Sequence, residues 1–90
     1  MTIYVLHSQS DSLIGNRNSF SMVWGVYDDK GKAETARETL IDRFKKEWAK
    51  EGDTARVMDL GDKCHLTRLN PAETELQKTT ITIKGKELNA

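Results

Sequence analysis

The side chains in this sequence best suited to chemistry are few: His7, Cys64, His65 and the carboxylate of Asp59. Imidazole, thiolate and carboxylate are ligands for zinc and related metals, and a thiolate beside an imidazole is also a nucleophile. Cys64 and His65 are neighbours, and adjacent side chains of a strand point to opposite faces, so they cannot share one metal unless the strand is bulged there. His7, Asp59 and His65 could meet only if the strands bring them together. That trio defines one functional class, a small metal-dependent enzyme. The spacing does not impose it, because the chain holds no His-x-x-x-His or Cys-x-x-Cys pair.

Other catalytic patterns are no better served. The six glycines are scattered and form neither a phosphate loop nor a dinucleotide fingerprint. Ser8, Ser10, Ser12, Ser19 and Ser21 lack the strained turn that presents a nucleophile. Asp28 and Asp29 are better used as helix caps than as an acid–base pair. The expectation is a non-enzymatic protein with no catalytic residue, no metal and no cofactor.

Two segments offer binding chemistry instead. Ser8 to Asn18 reads as the longest loop, polar apart from Leu13 and Ile14. Its Leu13, Ile14, Asn16, Arg17 and Asn18 combine apolar and hydrogen-bonding groups that can meet a partner. On the helix described next, Arg43, Lys46 and Lys50, with Lys45 and with Arg56 nearby in sequence, form the best candidate for an anion contact. Asp42 and Glu47 interrupt it. A nucleic-acid binder using Arg17, Arg43, Lys45, Lys46, Lys50 and Arg56 is the second functional class, and its affinity would fall steeply with salt. Trp24 and Trp48 are expected to meet in the core rather than stack on bases, while Tyr4 and Tyr27 are the better candidates for exposure.

The elements that must position these groups follow from periodicity. Thr2 to His7 is a strand with apolar residues on both faces. In Ser19 to Tyr27, Phe20, Met22, Trp24 and Val26 share a parity and so one face of a second strand. Asp28 and Asp29 cap a helix that begins between Asp29 and Lys32. Its stripe is Ala33, Ala36, Leu40, Ile41, Phe44 and Trp48, and it ends at Gly52. Other helix charges, Arg37 among them, read as solvated. Thr54 to Leu60 and Lys63 to Leu69 form a hairpin about Gly61-Asp62. Asn70-Pro71-Ala72-Glu73 has the chemistry of a helix start. Thr79 to Lys84 reads as an edge strand able to pair with its own copy, and Gly85 to Ala90 as a frayed end.

Together these give an α+β fold: one domain over residues 1–90, an antiparallel sheet of four to five strands against one long helix, and a short second helix after Asn70. Fourteen basic and fourteen acidic residues leave no net charge, which disfavours both a phosphate-tracking surface and an acidic duplex mimic. The single cysteine permits no intrachain disulfide, which fits a reducing cytosol. The apolar start turns polar at His7, and no segment approaches the ~20 apolar residues of a spanning helix. A cytoplasmic protein with no membrane partner is expected.

Tyr4-Val5-Leu6-His7, and Gly25-Val26-Tyr27-Asp28-Asp29 followed by Lys32-Ala33-Glu34 and Ala36, resemble small uncharacterised domains of bacteriophages and bacteria. In these a short strand, a strand ending in Gly-Val-aromatic and a helix opening with Lys-Ala recur. The resemblance covers the first half of the chain and implies a fold. With the lack of catalytic motifs, the compact charge-rich domain and the polar loop, it leads to a binding protein of a phage or mobile element. Such an accessory factor would dock on a host protein in the host cytoplasm and modulate it, with an anti-defence role as one form.

Overall fold

Small serines carry the first strand well beyond His7. In the computed structural model, which describes residues 1–14 and 19–88, β1 runs Thr2–Ser12. Ser8 to Ser12 is therefore strand and not loop, because Ser8 and Ser10 are buried mid-sheet with their hydroxyls satisfied. The Trp24 indole N–H donates to Ser8 Oγ at 2.8 Å, and Ser10 and Thr79 share a hydroxyl hydrogen bond of 3.0 Å. The remaining elements are β2 (Ser19–Tyr27), α1 (Lys30–Lys50), β3 (Thr54–Asp59), β4 (Lys63–Leu69) and β5 (Glu75–Glu87).

All five strands form one antiparallel sheet in the order β2-β1-β5-β4-β3, with α1 laid across one face. The core lies beneath the helix: Leu6, Cys64, Leu66, Ile81 and Ile83 from the sheet against Ala33, Leu40, Ile41 and Trp48. This α+β arrangement matches the sequence reading. No described helix is long and apolar enough to cross a membrane.

The place of the last strand does not match. β5 is the centre of the sheet and not an edge, so pairing of Thr79 to Lys84 with a second copy is ruled out by β1 and β4 on its two sides. Thr79 passes as a central-strand residue because its hydroxyl is satisfied by Ser10 and Gln77. Nor does Gly85 begin a frayed end. Gly85, Lys86 and Glu87 pair with Tyr4, Ile3 and Thr2, and the Thr2 hydroxyl donates to Glu87 at 2.7 Å.

The helix begins and ends as its sequence requires. Asp29 is the N-cap, accepting from the Lys32 amide at 3.1 Å, and Asp28 pairs with Lys32 Nζ at 3.1 Å. At the other end Gly52 adopts φ +80°, its amide reaches the Ala49 carbonyl, and the Asp53 amide reaches that of Trp48, each at 3.0 Å. These are the two hydrogen bonds of a Schellman stop. Asp53, whose side chain is largely covered, then pairs with Arg68 Nε at 2.6 Å, and the Arg68 guanidinium lies 5.9 Å from the centre of the Trp48 ring. The helix end is thereby fixed to β4. Arg37, read as solvated, is buried: its guanidinium donates to the Gly61 carbonyl in the β3–β4 turn.

Among the described residues no helix follows Asn70. The Asn70 side chain accepts from the Thr74 amide at 2.8 Å, its carbonyl accepts from Glu73 at 2.8 Å, and its amide donates to Thr74 at 3.2 Å. An asparagine before proline serves a helix cap and a tight turn by the same acceptor chemistry, and here the turn closes the β4–β5 hairpin. Glu73 takes the left-handed position of that loop, φ +63°, where a side chain is strained. Glu73→Gly is expected to stabilise the protein by ~0.5–1 kcal/mol, the relieved strain exceeding the entropy lost to a freer unfolded chain. Urea denaturation of the two proteins measures this.

Burial pushes the Cys64 thiol above its ordinary pKa, and the carboxylate of Asp59, its partner across β3–β4, acts in the same direction. A raised pKa means the stabilising state is the protonated one, complete below the unfolded thiol's pKa and lost as pH climbs towards the folded value. Cys64→Ala should cost about 1 kcal/mol at neutral pH by leaving a small void. The gap between the two proteins should narrow above about pH 8.5, where the unfolded thiol ionises. Denaturation midpoints from pH 7 to pH 10 would show the convergence.

Candidate functional site

β2 holds the surface that the helix leaves uncovered. Its pairing with β1 shifts register between Leu6 and His7: Leu6 faces Gly25, His7 faces Val23, and Trp24 is the extra residue of a bulge. The bulge changes which side chains share a face. Phe20 and Met22 lie opposite Ser10 and Ser8, on the helix side, and the Trp24 indole reaches over Ser8. Beyond the bulge Gly25 and Tyr27, opposite Leu6 and Tyr4, take over that side. Val26, expected beside Phe20, Met22 and Trp24, is thereby turned to the opposite face, paired with Val5.

Tyr27 explains the Gly-Val-aromatic ending of this strand. Its ring lies over Gly25 so closely that a Cβ there would fall 2.8 Å from ring carbon Cζ. Both Tyr4 and Tyr27 pack against the core, contrary to their expected exposure. The two tryptophans meet only through a third ring. Phe44 stands edge-on to Trp24 with centroids 6.1 Å apart and tilted against Trp48 at 5.6 Å.

These three rings floor the main cleft, a space of about 450 Å³ between α1 and the sheet, completed by Leu40, Arg43, Glu47, Glu51 and Arg68. A second hollow of about 330 Å³ shares Trp24, Leu40 and Arg43 and extends past Ala36 and Tyr27 towards the helix start. Arg43 divides the two, its guanidinium 5.3 Å from the Trp24 ring centre. The two arginines of the cleft differ in state. Arg68 is paired with Asp53, whereas Arg43 takes part in none of the ion pairs among the described residues. Beside the cleft, on the same face, Phe20 and Met22 are 60% and 44% exposed.

Of the residues singled out in the sequence, Arg43, Lys46 and Lys50 do share a helix flank, in a shallow groove with Thr39, Asp42 and Glu47. Lys50 pairs with Glu47 at 3.8 Å. Arg56 does not join them; it lies on β3 and pairs with Glu75 at 3.4 Å. Leu13 and Ile14 are exposed at the end of β1, where the Leu13 amide continues the ladder to the Leu76 carbonyl at 3.0 Å. Asn16, Arg17 and Asn18 lie outside the described residues.

The metal trio does not assemble. His7 and His65 face away from the helix on β1 and β4, with β5 between them, and His65 Nδ1 is hydrogen-bonded to Thr80 Oγ1 at 3.0 Å. Asp59, opposite Cys64, is on the other face and accepts from the Gly61 amide at 2.9 Å. No three His, Cys, Asp or Glu among the described residues are grouped to hold a metal ion. Cys64 and His65 point to opposite faces, as adjacent strand residues must.

Sequence reasoning missed the cleft because it had no strand order: Trp48 is core, as read, and Trp24 and Phe44 pack against it, but that they remain half-exposed follows only from β2 standing at the edge. The readable signal was the concentration of large apolar residues on Ser19 to Tyr27, more than one helix could cover if that strand stood at an edge. Comparisons of the chain with protein-family models, with curated protein sequences and with solved structures find no match in any of the three.

Proposed function

We propose that this is a non-enzymatic binding protein whose aromatic cleft receives a segment of another protein, one offering an apolar side chain beside a carboxylate. The observation that carries this is Arg43, a cation laid on Trp24 that takes part in no ion pair among the described residues and lines the cleft together with three rings. An apolar side chain gains from leaving water against Trp24, Phe44 and Trp48, and a carboxylate beside it pairs with Arg43. Ring and guanidinium together are the groups that dominate protein recognition when desolvated. The scattered positions of His7, Asp59 and His65 and the burial of Cys64 support the non-enzymatic part of the reading. Its extension to a phage or mobile-element factor that modulates a host protein, with an anti-defence role as one form, rests on the resemblance of the first half of the chain.

Selection from a random peptide library on the immobilised protein tests this. The enriched peptides should share an aromatic or aliphatic residue next to Asp or Glu, and should shift the indole N–H resonances of Trp24 and Trp48. Arg43→Glu should weaken them by about 10- to 100-fold, while Lys84→Glu, on the face away from the helix, should leave them unchanged. Peptides that ignore Arg43→Glu would overturn the reading. Salt-sensitive binding of labelled RNA or DNA that requires Lys46 and Lys50 would replace it with the nucleic-acid one.

A further inference from the structure

β2 is an edge strand without the protection edges usually carry. All nine of its residues, Ser19 to Tyr27, are uncharged in a chain that is 31% charged, and none is proline. Four large apolar side chains stand in solvent along it: Phe20, Met22, Val23 and Val26 are 60%, 44%, 58% and 57% exposed. The opposite edge, β3, is shorter at six residues and carries Arg56 and Asp59. Soluble proteins normally blunt such a strand with lysine, proline or a covering element, since its outward amides and carbonyls are a template for another strand.

We infer that β2 pairs antiparallel with β2 of a second copy, about a twofold axis through Ser21. The sequence around that axis is self-complementary. Ser21 faces Ser21, Phe20 faces Met22 of the other copy, and Ser19 faces Val23. Each Phe20–Met22 pair occurs twice and joins a thioether to a ring, a favourable contact. Twofold pairing sets a strand against its own charges, so the absence of any charge on β2 suits a copy of itself better than a charged partner. The regular stretch ends at Val23 because Trp24 is the bulged residue, which limits the shared ladder to five residues on each side.

A dyad normal to the sheet keeps both helices on one face. The pair is then a ten-stranded sheet, with the two aromatic clefts facing each other across a floor made by Phe20 and Met22 of both copies. The dimer does not depend on the cleft's binding a partner protein. A groove shared by two clefts does rest on that reading, and the two are measured separately.

Sedimentation velocity over a concentration series gives the mass, expected to rise towards twice the 10.2 kDa of the chain. Phe20→Lys, at an exposed position, should weaken association by at least about tenfold with an unchanged circular-dichroism spectrum. Ser21→Cys in a Cys64→Ser background should form an intermolecular disulfide or a short bis-maleimide cross-link, whereas Met58→Cys on β3 should not. A strict monomer at millimolar concentration overturns the proposal, as does a dimer that survives Phe20→Lys but is lost with Val57→Lys. Peptide binding measured on monomeric Phe20→Lys reports on the cleft alone, so either reading can fail without the other.

Discussion

One helix cannot cover five strands, and most of what distinguishes this molecule follows from that mismatch. Five strands spaced ~4.8 Å apart span ~19 Å, while a helix with its side chains is ~10 Å wide. The 21 residues of α1 therefore seal only the middle of one face, where Leu6, Ile81, Ile83, Cys64 and Leu66 are fully or nearly buried. The edges receive partial cover. On the β3 side Arg37 reaches to the Gly61 carbonyl, and on the β2 side Trp24 leans inward to Phe44. The cleft is the gap left beneath that lean.

The centre of the face turned away from the helix is polar. Its central positions are His7, Gln9, Thr80, Thr82, His65 and Thr67, with Lys63, Lys78, Lys84, Lys86 and Arg56 around them, as the register of β1, β5, β4 and β3 requires. Glu75 and Asp11 offset part of that charge. The polar face costs little to leave open, because β-branched threonines suit a strand and their hydroxyls can be solvated. Exposed apolar side chains gather at both edges, Phe20, Met22, Val23 and Val26 on β2 and Val57 and Met58 on β3, and β2 is the edge that carries no charge beside them.

What was legible in the sequence was local. Asp29 and Gly52 bracketed the helix because capping and the left-handed stop are chemistry of neighbouring residues, and Gly61-Asp62 announced its hairpin for the same reason. What was illegible depended on who lies next to whom. Ser8 and Ser10 looked like loop until Trp24 and Thr79 supplied their hydrogen bonds from other strands. Thr79 to Lys84 looked like an edge because alternating threonine and isoleucine suit an edge and a polar-backed central strand equally. Asn70-Pro71 misled for a different reason, since one side-chain acceptor serves both helix caps and tight turns.

The bulge at Trp24 is where these threads meet. Without the extra residue, the parity of Phe20, Met22 and Trp24 would continue to Val26, and Tyr27 would face away from the helix. With it, Tyr27 folds over Gly25 and closes the core at the helix start, while Val26 is released to the opposite face beside Val5. The strand is thereby divided. Trp24, Gly25 and Tyr27 pack half-buried on the helix side, and Ser19 to Val23 keeps a regular ladder that sets Phe20 and Met22 beside the cleft and Val23 on the opposite face. A bulge also increases local twist, which turns the two halves relative to each other. One inserted residue thus lets a single edge strand both anchor the domain and present an uncovered surface.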